Sequence, residues 1–174
     1  FQYQNLSLSI AAAKICGLHS GKIINSLKKI KNVNGRLEFI RKLPNNTKVY
    51  IDFAHTPEAL STVLRSLKEY FNRSITLIFG CGGERDKKKR RIMAEIASKF
   101  SNNIYVTDDN PRRENPKKIR KMIISHLKKG TYEEIGNRFL AIKTALKKAK
   151  PNEIILIAGK GHEAIQDYGN KKIY

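Results

Sequence analysis

Only two cysteines, Cys16 and Cys81, occur in the 174 residues. They are too few for a disulfide framework or a paired metal motif, so a reducing, cytoplasmic setting is the expectation. No stretch approaches the roughly 20 continuous apolar residues of a membrane span, and Phe1-Gln2-Tyr3-Gln4 lacks the basic start and apolar run of a secretory signal. Membrane association is therefore not expected. An initiator Met is also missing, which leads to the expectation of a fragment. Two nucleotide fingerprints are absent as well. Gly80-Cys81-Gly82-Gly83-Glu84-Arg85 has Arg where the dinucleotide motif wants its last glycine, and Gly-x-x-x-x-Gly-Lys-Ser/Thr occurs nowhere. Prolines number five, and with 40 % hydrophobic residues the chain is long enough for one substantial core and a small appendage.

Acidic residues are scarce, 15 against 35 Lys and Arg, leaving a net charge of +20. Such an excess ordinarily points to nucleic acid or another polyanion. Here the lysines are spread through almost every segment and accompany many Ile and Asn. Aromatic residues are not interleaved with the basic runs as a single-strand stacking platform requires. Nucleic acid is therefore not the expected partner, and a basic nucleic-acid-binding module stands as the rival reading. Phosphates and carboxylates on small substrates would use the same field.

The apolar residues Leu6, Leu8, Ile10, Ala13 and Ile15 predict a buried helix from Asn5 that stops at Gly17. A second helix is expected over Ile23 to Ile30, followed by a linker at Asn32-Val33-Asn34-Gly35. Beyond it, strands are predicted at Lys48 to Phe53, Ile75 to Phe79, Asn103 to Thr107, Ile154 to Ala158 and, more weakly, Tyr132 to Ile135. Helices are predicted at Pro57 to Phe71, Lys87 to Phe100, Pro116 to Lys128 and Arg138 to Lys148. Thr56 and Asn115 can cap free backbone amides, while Pro57 and Pro116 occupy first turns where no donor is missed. Near-continuous apolar strands separated by helices imply an α/β domain of Rossmann-like build, a mostly parallel sheet with helices on both faces.

The prominent polar clusters each follow a strand: Asp52 to Pro57, Gly80 to Asp86, Thr107 to Arg112, and Gly159 to Glu163. In such sheets ligands gather at the carboxyl ends of strands, so the four loops should converge on one rim. Their glycines admit a ligand close to the backbone, and neighbouring helix N-termini present unpaired amides to anions.

The succession Gly35-Arg36-Leu37-Glu38, Asp52-Phe53-Ala54-His55-Thr56-Pro57, Gly80-Cys81-Gly82-Gly83-Glu84-Arg85-Asp86-Lys87, Asp108-Asp109-Asn110-Pro111-Arg112 and Gly159-Lys160-Gly161-His162-Glu163 resembles the muramyl-peptide (Mur) ligases, specifically their diaminopimelate-adding members. One such motif is a weak signal; five in order over nearly the whole chain are specific. The resemblance implies residues 1–31 as a helical tail of the family's central ATPase domain and 32–174 as a slightly truncated C-terminal domain. It also implies an ATP-dependent ligase of peptidoglycan precursor synthesis, adding meso-diaminopimelate to UDP-N-acetylmuramoyl-L-alanyl-D-glutamate through an acyl phosphate. ATP and Mg2+ are the implied cofactors, with the P-loop and metal ligands in an absent central domain. Partners would be the UDP-muramyl dipeptide, meso-diaminopimelate and the missing N-terminal and central domains, in a monomer whose isolated chain is inactive.

By the same resemblance the amino acid is bound by Arg85, Asp109, Asn110, Pro111, Arg112, Gly159 and Glu163. ATP is met by Arg36, Asp52 and His55, and no catalytic or metal residue is assigned. Arg85 and Arg112 can each make forked bonds to a carboxylate, the group that distinguishes diaminopimelate from lysine at the far end of the side chain. Asp109 and Glu163 offer negative charge to an ammonium. Bland readings stand beside these roles. Asp109-Asn110-Pro111 is also an ordinary turn, Asp52 a turn cap, His55 a structural hydrogen-bonder and Arg36 a solvated side chain. Lys160, His162 and Asp86 suit either chemistry or loop structure. Lys87 to Arg91 reads as an exposed helix start, and Cys81 as a packing residue. Phe53 stands where the family commonly has Tyr, removing a phenolic hydrogen bond. A sister ligase adding lysine or another amino acid is the alternative within the class, and a non-catalytic remnant that folds but never meets ATP productively is a further rival outside it.

Overall fold

The computed structural model describes residues 2–174. The chain divides into two compact units, one ending at Val33 and the other spanning Asn34–Tyr174. The first contains α1 (Gln2–Ile15) and α2 (Ser20–Leu27). The His19 side chain caps α2 by accepting from the Gly21 amide at 3.2 Å. The expectation of a buried first helix is overturned: Leu8 and Ile15 are 69 % and 87 % exposed. Its apolar residues recur at intervals of two and three, so they wind around the helix instead of forming one stripe that α2 could cover. The second helix also begins and ends three residues earlier than the apolar run suggested.

The second unit runs β1 (Glu38–Lys42), β2 (Lys48–Asp52), α3 (Pro57–Phe71), β3 (Ile75–Phe79), α4 (Lys88–Phe100), β4 (Asn103–Val106), α5 (Pro116–Ile124), β5 (Tyr132–Glu134), α6 (Arg138–Lys147), β6 (Ile154–Ala158), and the short hairpin β7 (Gln166–Asp167) and β8 (Lys172–Ile173). The main sheet has the order β1-β2-β6-β3-β4-β5, with β1 antiparallel to β2 and every other pairing parallel. Every residue of β3 and β6 is buried, as central parallel strands require. Alternate side chains serve opposite faces. Leu77 packs with Leu60, Leu64, Met93 and Ile123 from α3, α4 and α5, whereas Ile78 packs with Ala141 and Ala145 of α6. Each fully buried Leu or Ile adds about 1.5–3 kcal/mol relative to exposure.

Caps fix where the helices begin. The Thr56, Asn115 and Asn137 side chains accept from the Ala59, Lys118 and Leu140 amides at 3.2, 3.2 and 2.9 Å. α5 ends four residues before its predicted limit, and β1, β7 and β8 are additions to the predicted pattern. Among the described residues no helix is long and apolar enough to cross a membrane. Because β6 enters between β2 and β3, the carboxyl ends of β2, β6, β3 and β4 lie side by side.

Candidate functional site

Those four strand ends border a cleft of about 380 Å³. Phe53, His55 and Thr56 line it from the β2 loop; Gly82, Arg85, Asp86 and Lys89 from the β3 loop and the start of α4. The β4 loop adds Asp109, Asn110 and Arg112, and the β6 loop Gly159 and Glu163. The cleft thus gathers six of the seven residues expected to bind an amino acid, together with His55. Pro111 is buried, and Arg36 and Asp52 do not line it.

The loops hold one another at close quarters. A Cβ on Gly83 would stand 1.9 Å from the Pro111 carbonyl oxygen, so only glycine fits there. The Gly83 amide donates to the Asn110 carbonyl at 2.9 Å. Arg112 has φ +51°, and its amide donates to the Asp167 carbonyl at 2.9 Å while its Nη1 donates to the Gly83 carbonyl at 2.8 Å. One edge of that guanidinium is thus anchored to the loops. Arg85 has no hydrogen-bond or ion-pair partner among the described residues, so its whole fork is available to a ligand.

Asn110 and Glu163 are tied together through Lys160. The Lys160 Nζ donates to Asn110 Oδ1 at 2.8 Å, Glu163 Oε2 at 2.8 Å and the Ile165 carbonyl at 2.7 Å. All three donors of this 6 % exposed ammonium are used within the loops. Asn110 Nδ2 also donates to Glu163 Oε2 at 3.0 Å. Burial pushes the Glu163 carboxyl up, but the hydrogen bonds from Lys160 and Asn110 outweigh it and hold the group below its ordinary value. Asp109 is 8 % exposed; its Oδ1 accepts from the Asn110 amide at 2.7 Å, and its Oδ2 meets no partner among the described residues.

The three residues expected to meet a nucleotide are placed less uniformly. Asp52 is buried, with Oδ1 accepting from the Ala54 amide at 2.7 Å and Oδ2 from the Leu37 amide at 2.6 Å. Its carboxylate therefore clamps the β2 loop to the segment carrying Arg36. Burial raises its pKa, against the pull of those two amides and Arg36. The Arg36 guanidinium lies 4.7 Å over the Phe53 ring, and the exposed His55 packs edge-on against the same ring at 4.7 Å. His162 stacks on Phe53 at 5.9 Å.

Several supporting residues were missed in the sequence. Arg90 lies within the Lys87 to Arg91 run expected to be exposed, yet it is 1 % exposed; its Nη2 donates to both Glu114 oxygens at 3.0 Å and to the Gly82 carbonyl at 3.3 Å. This corrects the reading of that run as wholly solvated: α4 turns its third residue inward. Asp108 pairs with Arg120 and accepts from the Tyr168 hydroxyl at 3.0 Å, while Gln166 donates to the Asp108 and Asp109 carbonyls. Helical spacing places Arg90 on the face of Met93 and Ala97, the one signal that would have found it. Burial pushes the Cys81 thiol up to about 12, so it remains a protonated packing group. Among the described residues no group of three or more His, Cys, Asp and Glu side chains converges on a metal position.

The fold and this cleft define an α/β domain with a cleft of mixed charge at the carboxyl ends of its parallel strands. The family model described as "Mur ligase, glutamate ligase domain" matches residues 35–161. The chain belongs to the Mur ligase family. It is 45 % identical over 175 residues to the UDP-N-acetylmuramoyl-L-alanyl-D-glutamate--2,6-diaminopimelate ligase of Rickettsia conorii, covering 99 % of this chain and 36 % of the relative. It is 43 % identical over 176 residues to the ligase of the same name from Alkaliphilus oremlandii, covering 100 % of this chain and 36 % of that one. A solved structure of a ligase of that name matches with a TM-score of 0.75 at 33 % identity, over 99 % of this chain and 36 % of the other. The UDP-N-acetylmuramate-alanine ligase of Thermotoga maritima, at 22 % identity and a TM-score of 0.65 over 92 % of this chain and 34 % of its own, shares the fold alone. The chain therefore spans 36 % of the length of these curated relatives.

Proposed function

We propose that this chain is the amino-acid-binding part of an ATP-dependent ligase that joins meso-diaminopimelate to UDP-N-acetylmuramoyl-L-alanyl-D-glutamate in the cytoplasm. The observation that carries the reading is the division of charge in the cleft. Arg85 and Arg112 stand ready for a carboxylate, and Asp109 and Glu163 supply negative charge for an ammonium. Asn110 and Gly159 complete the amino-acid site, with Pro111 setting the loop from beneath. Two guanidiniums in one cleft suit a ligand with a carboxylate at each end, which lysine lacks.

In this reading residues 1–31 continue a central ATPase domain, and residues 32–174 are the domain that carries the amino acid to it. The enzyme acts as a monomer. ATP phosphorylates the D-glutamyl carboxylate; the amine nitrogen of diaminopimelate then bonds to the acyl carbon, phosphate departs, and the nitrogen loses a proton. The central domain supplies the phosphate loop and the Mg2+ ligands. Arg36, held over Phe53, and His55 suit the nucleotide's phosphates and base, while Asp52 fixes the loop that presents them. This chain's contribution is positioning and charge compensation, which lower a barrier when reactants are held in line.

Ligation assays test the proposal. The isolated chain should form no amide, and the protein that joins it to the preceding domains should form one with meso-diaminopimelate and ATP. Ligation by the chain alone, or none by the joined protein, would overturn the reading.

A further inference from the structure

Arg138 opens α6 and is 7 % exposed, yet no role described above uses it. A guanidinium carries five donors and keeps its proton, so burial leaves a charge that needs compensation. The positive end of α6 beside it adds to that need. Its Nη2 donates to the carbonyl of Ala158 at 2.8 Å, the residue before Gly159, and its Nη1 meets no partner among the described residues. Asp109 Oδ2 is likewise buried and unpartnered. Burial pulls the Arg138 pKa down, and the charges acting against it are Asp109 and Glu163, the cleft's amino-acid-binding carboxylates. Arg138 lines a second cleft with Lys160, Gly161 and Glu163. The Gly159 to Glu163 loop is thus a wall with the amino-acid cleft on one side and Arg138 on the other.

We propose that Arg138 is a positioning residue for amino-acid recognition, which holds the Gly159 to Glu163 loop through the Ala158 carbonyl and, from behind this wall, sets Asp109 and Glu163 toward the incoming ammonium. The inference rests on the reading of the cleft given above. A guanidinium that only stapled β6 to α6 would need the Ala158 bond alone. The two unpartnered atoms of opposite charge, on residues from different elements, distinguish the proposed role.

The test uses the full ligase with Arg138→Met, Arg138→Lys, Asp109→Asn and the double variant R138M/D109N, with Arg112→Ala as a control on the cleft. R138M should raise KM for diaminopimelate on the order of tenfold or more while KM for ATP and kcat move less than about threefold. R138K should recover much of the loss, and R138M should add little in the D109N background. Equal damage to both KM values and kcat, or a full R138M effect without Asp109, would reduce Arg138 to a staple and overturn the proposal. A large R112A effect beside a silent R138M would sink this inference alone, and an unchanged KM in R112A would bring down the cleft reading and the inference with it. Should R138M fail to fold, the 15Nε resonance of Arg138 decides. Diaminopimelate should shift it in the wild-type protein and not in D109N; no shift in the wild type would overturn the proposal.

Discussion

Lys160 and Asn110 form a 2.8 Å hydrogen bond between Nζ and Oδ1, and that bond assigns the lysine to the wall of the cleft instead of to a phosphate. With its other donors on Glu163 and the Ile165 carbonyl, the ammonium has none left for a nucleotide. Lys160→Met should therefore weaken diaminopimelate binding and leave KM for ATP unchanged. It should also cost about 1 kcal/mol of stability, because three acceptors, two of them half-buried, lose a charged donor. Steady-state kinetics with each substrate varied, together with urea denaturation, checks both parts; a rise in KM for ATP would contradict the assignment.

Arg90 and Glu114 make an asymmetric pair, with side-chain exposures of 1 % and 22 %. Removing the carboxylate strands a buried cation, whereas removing the guanidinium leaves a carboxylate that water can reach. Glu114→Ala should therefore destabilise by about 3 kcal/mol, and Arg90→Met by clearly less. Chemical denaturation of both variants gives the order, and the reverse order would show that packing, not charge, governs this contact.

The same pair carries a pH signature. The hydrogen bond from Arg90 holds the Glu114 carboxyl below its ordinary value. A depressed carboxylate stabilises the fold above the unfolded pKa of about 4.3, and that contribution fades as pH falls through the folded value. The stability difference between wild type and Glu114→Gln should accordingly be constant near neutrality and shrink on acidification below that pKa. A difference independent of pH would mean that the ionised form gains nothing from Arg90.

Gly83→Ala places a methyl group 1.9 Å from the Pro111 carbonyl oxygen, a backbone atom that cannot swing aside. The β3 and β4 loops must part, at a cost of about 1–3 kcal/mol for overpacking. Arg112 Nη1 would lose its Gly83 anchor. Calorimetric titration with diaminopimelate should show weakened binding even at temperatures where the variant remains folded; unchanged affinity would detach the two loops from recognition.

The parallel strands were legible because Ile75 to Phe79 and Ile154 to Ala158 are continuous apolar runs, and buried parallel strands read that way. Helix starts at Thr56-Pro57 and Asn115-Pro116 were equally plain, since caps are local chemistry. β1 was missed because Glu38-Phe39-Ile40-Arg41-Lys42 is an edge strand with four of its five residues exposed, so no clean alternation marks it. β7 and β8, two residues each, lie below what periodicity can register. The site's loops stood out through their Gly, Asp and Arg content, whereas Arg90, Glu114, Arg120 and Arg138 resembled the surface charge that fills this chain. Their burial depends on which face of a helix meets the sheet. The exposed first helix shows the converse, that apolar residues alone do not guarantee a covering surface.

The most direct test of the central claim is the ratio of kcat/KM for meso-diaminopimelate over L-lysine, measured in the full ligase before and after Arg112→Ala. The account predicts a strong preference for diaminopimelate in the wild type that falls by about two orders of magnitude or more in the variant, since a charge-assisted forked bond to the distal carboxylate is lost. A preference that survives the substitution unchanged would contradict it.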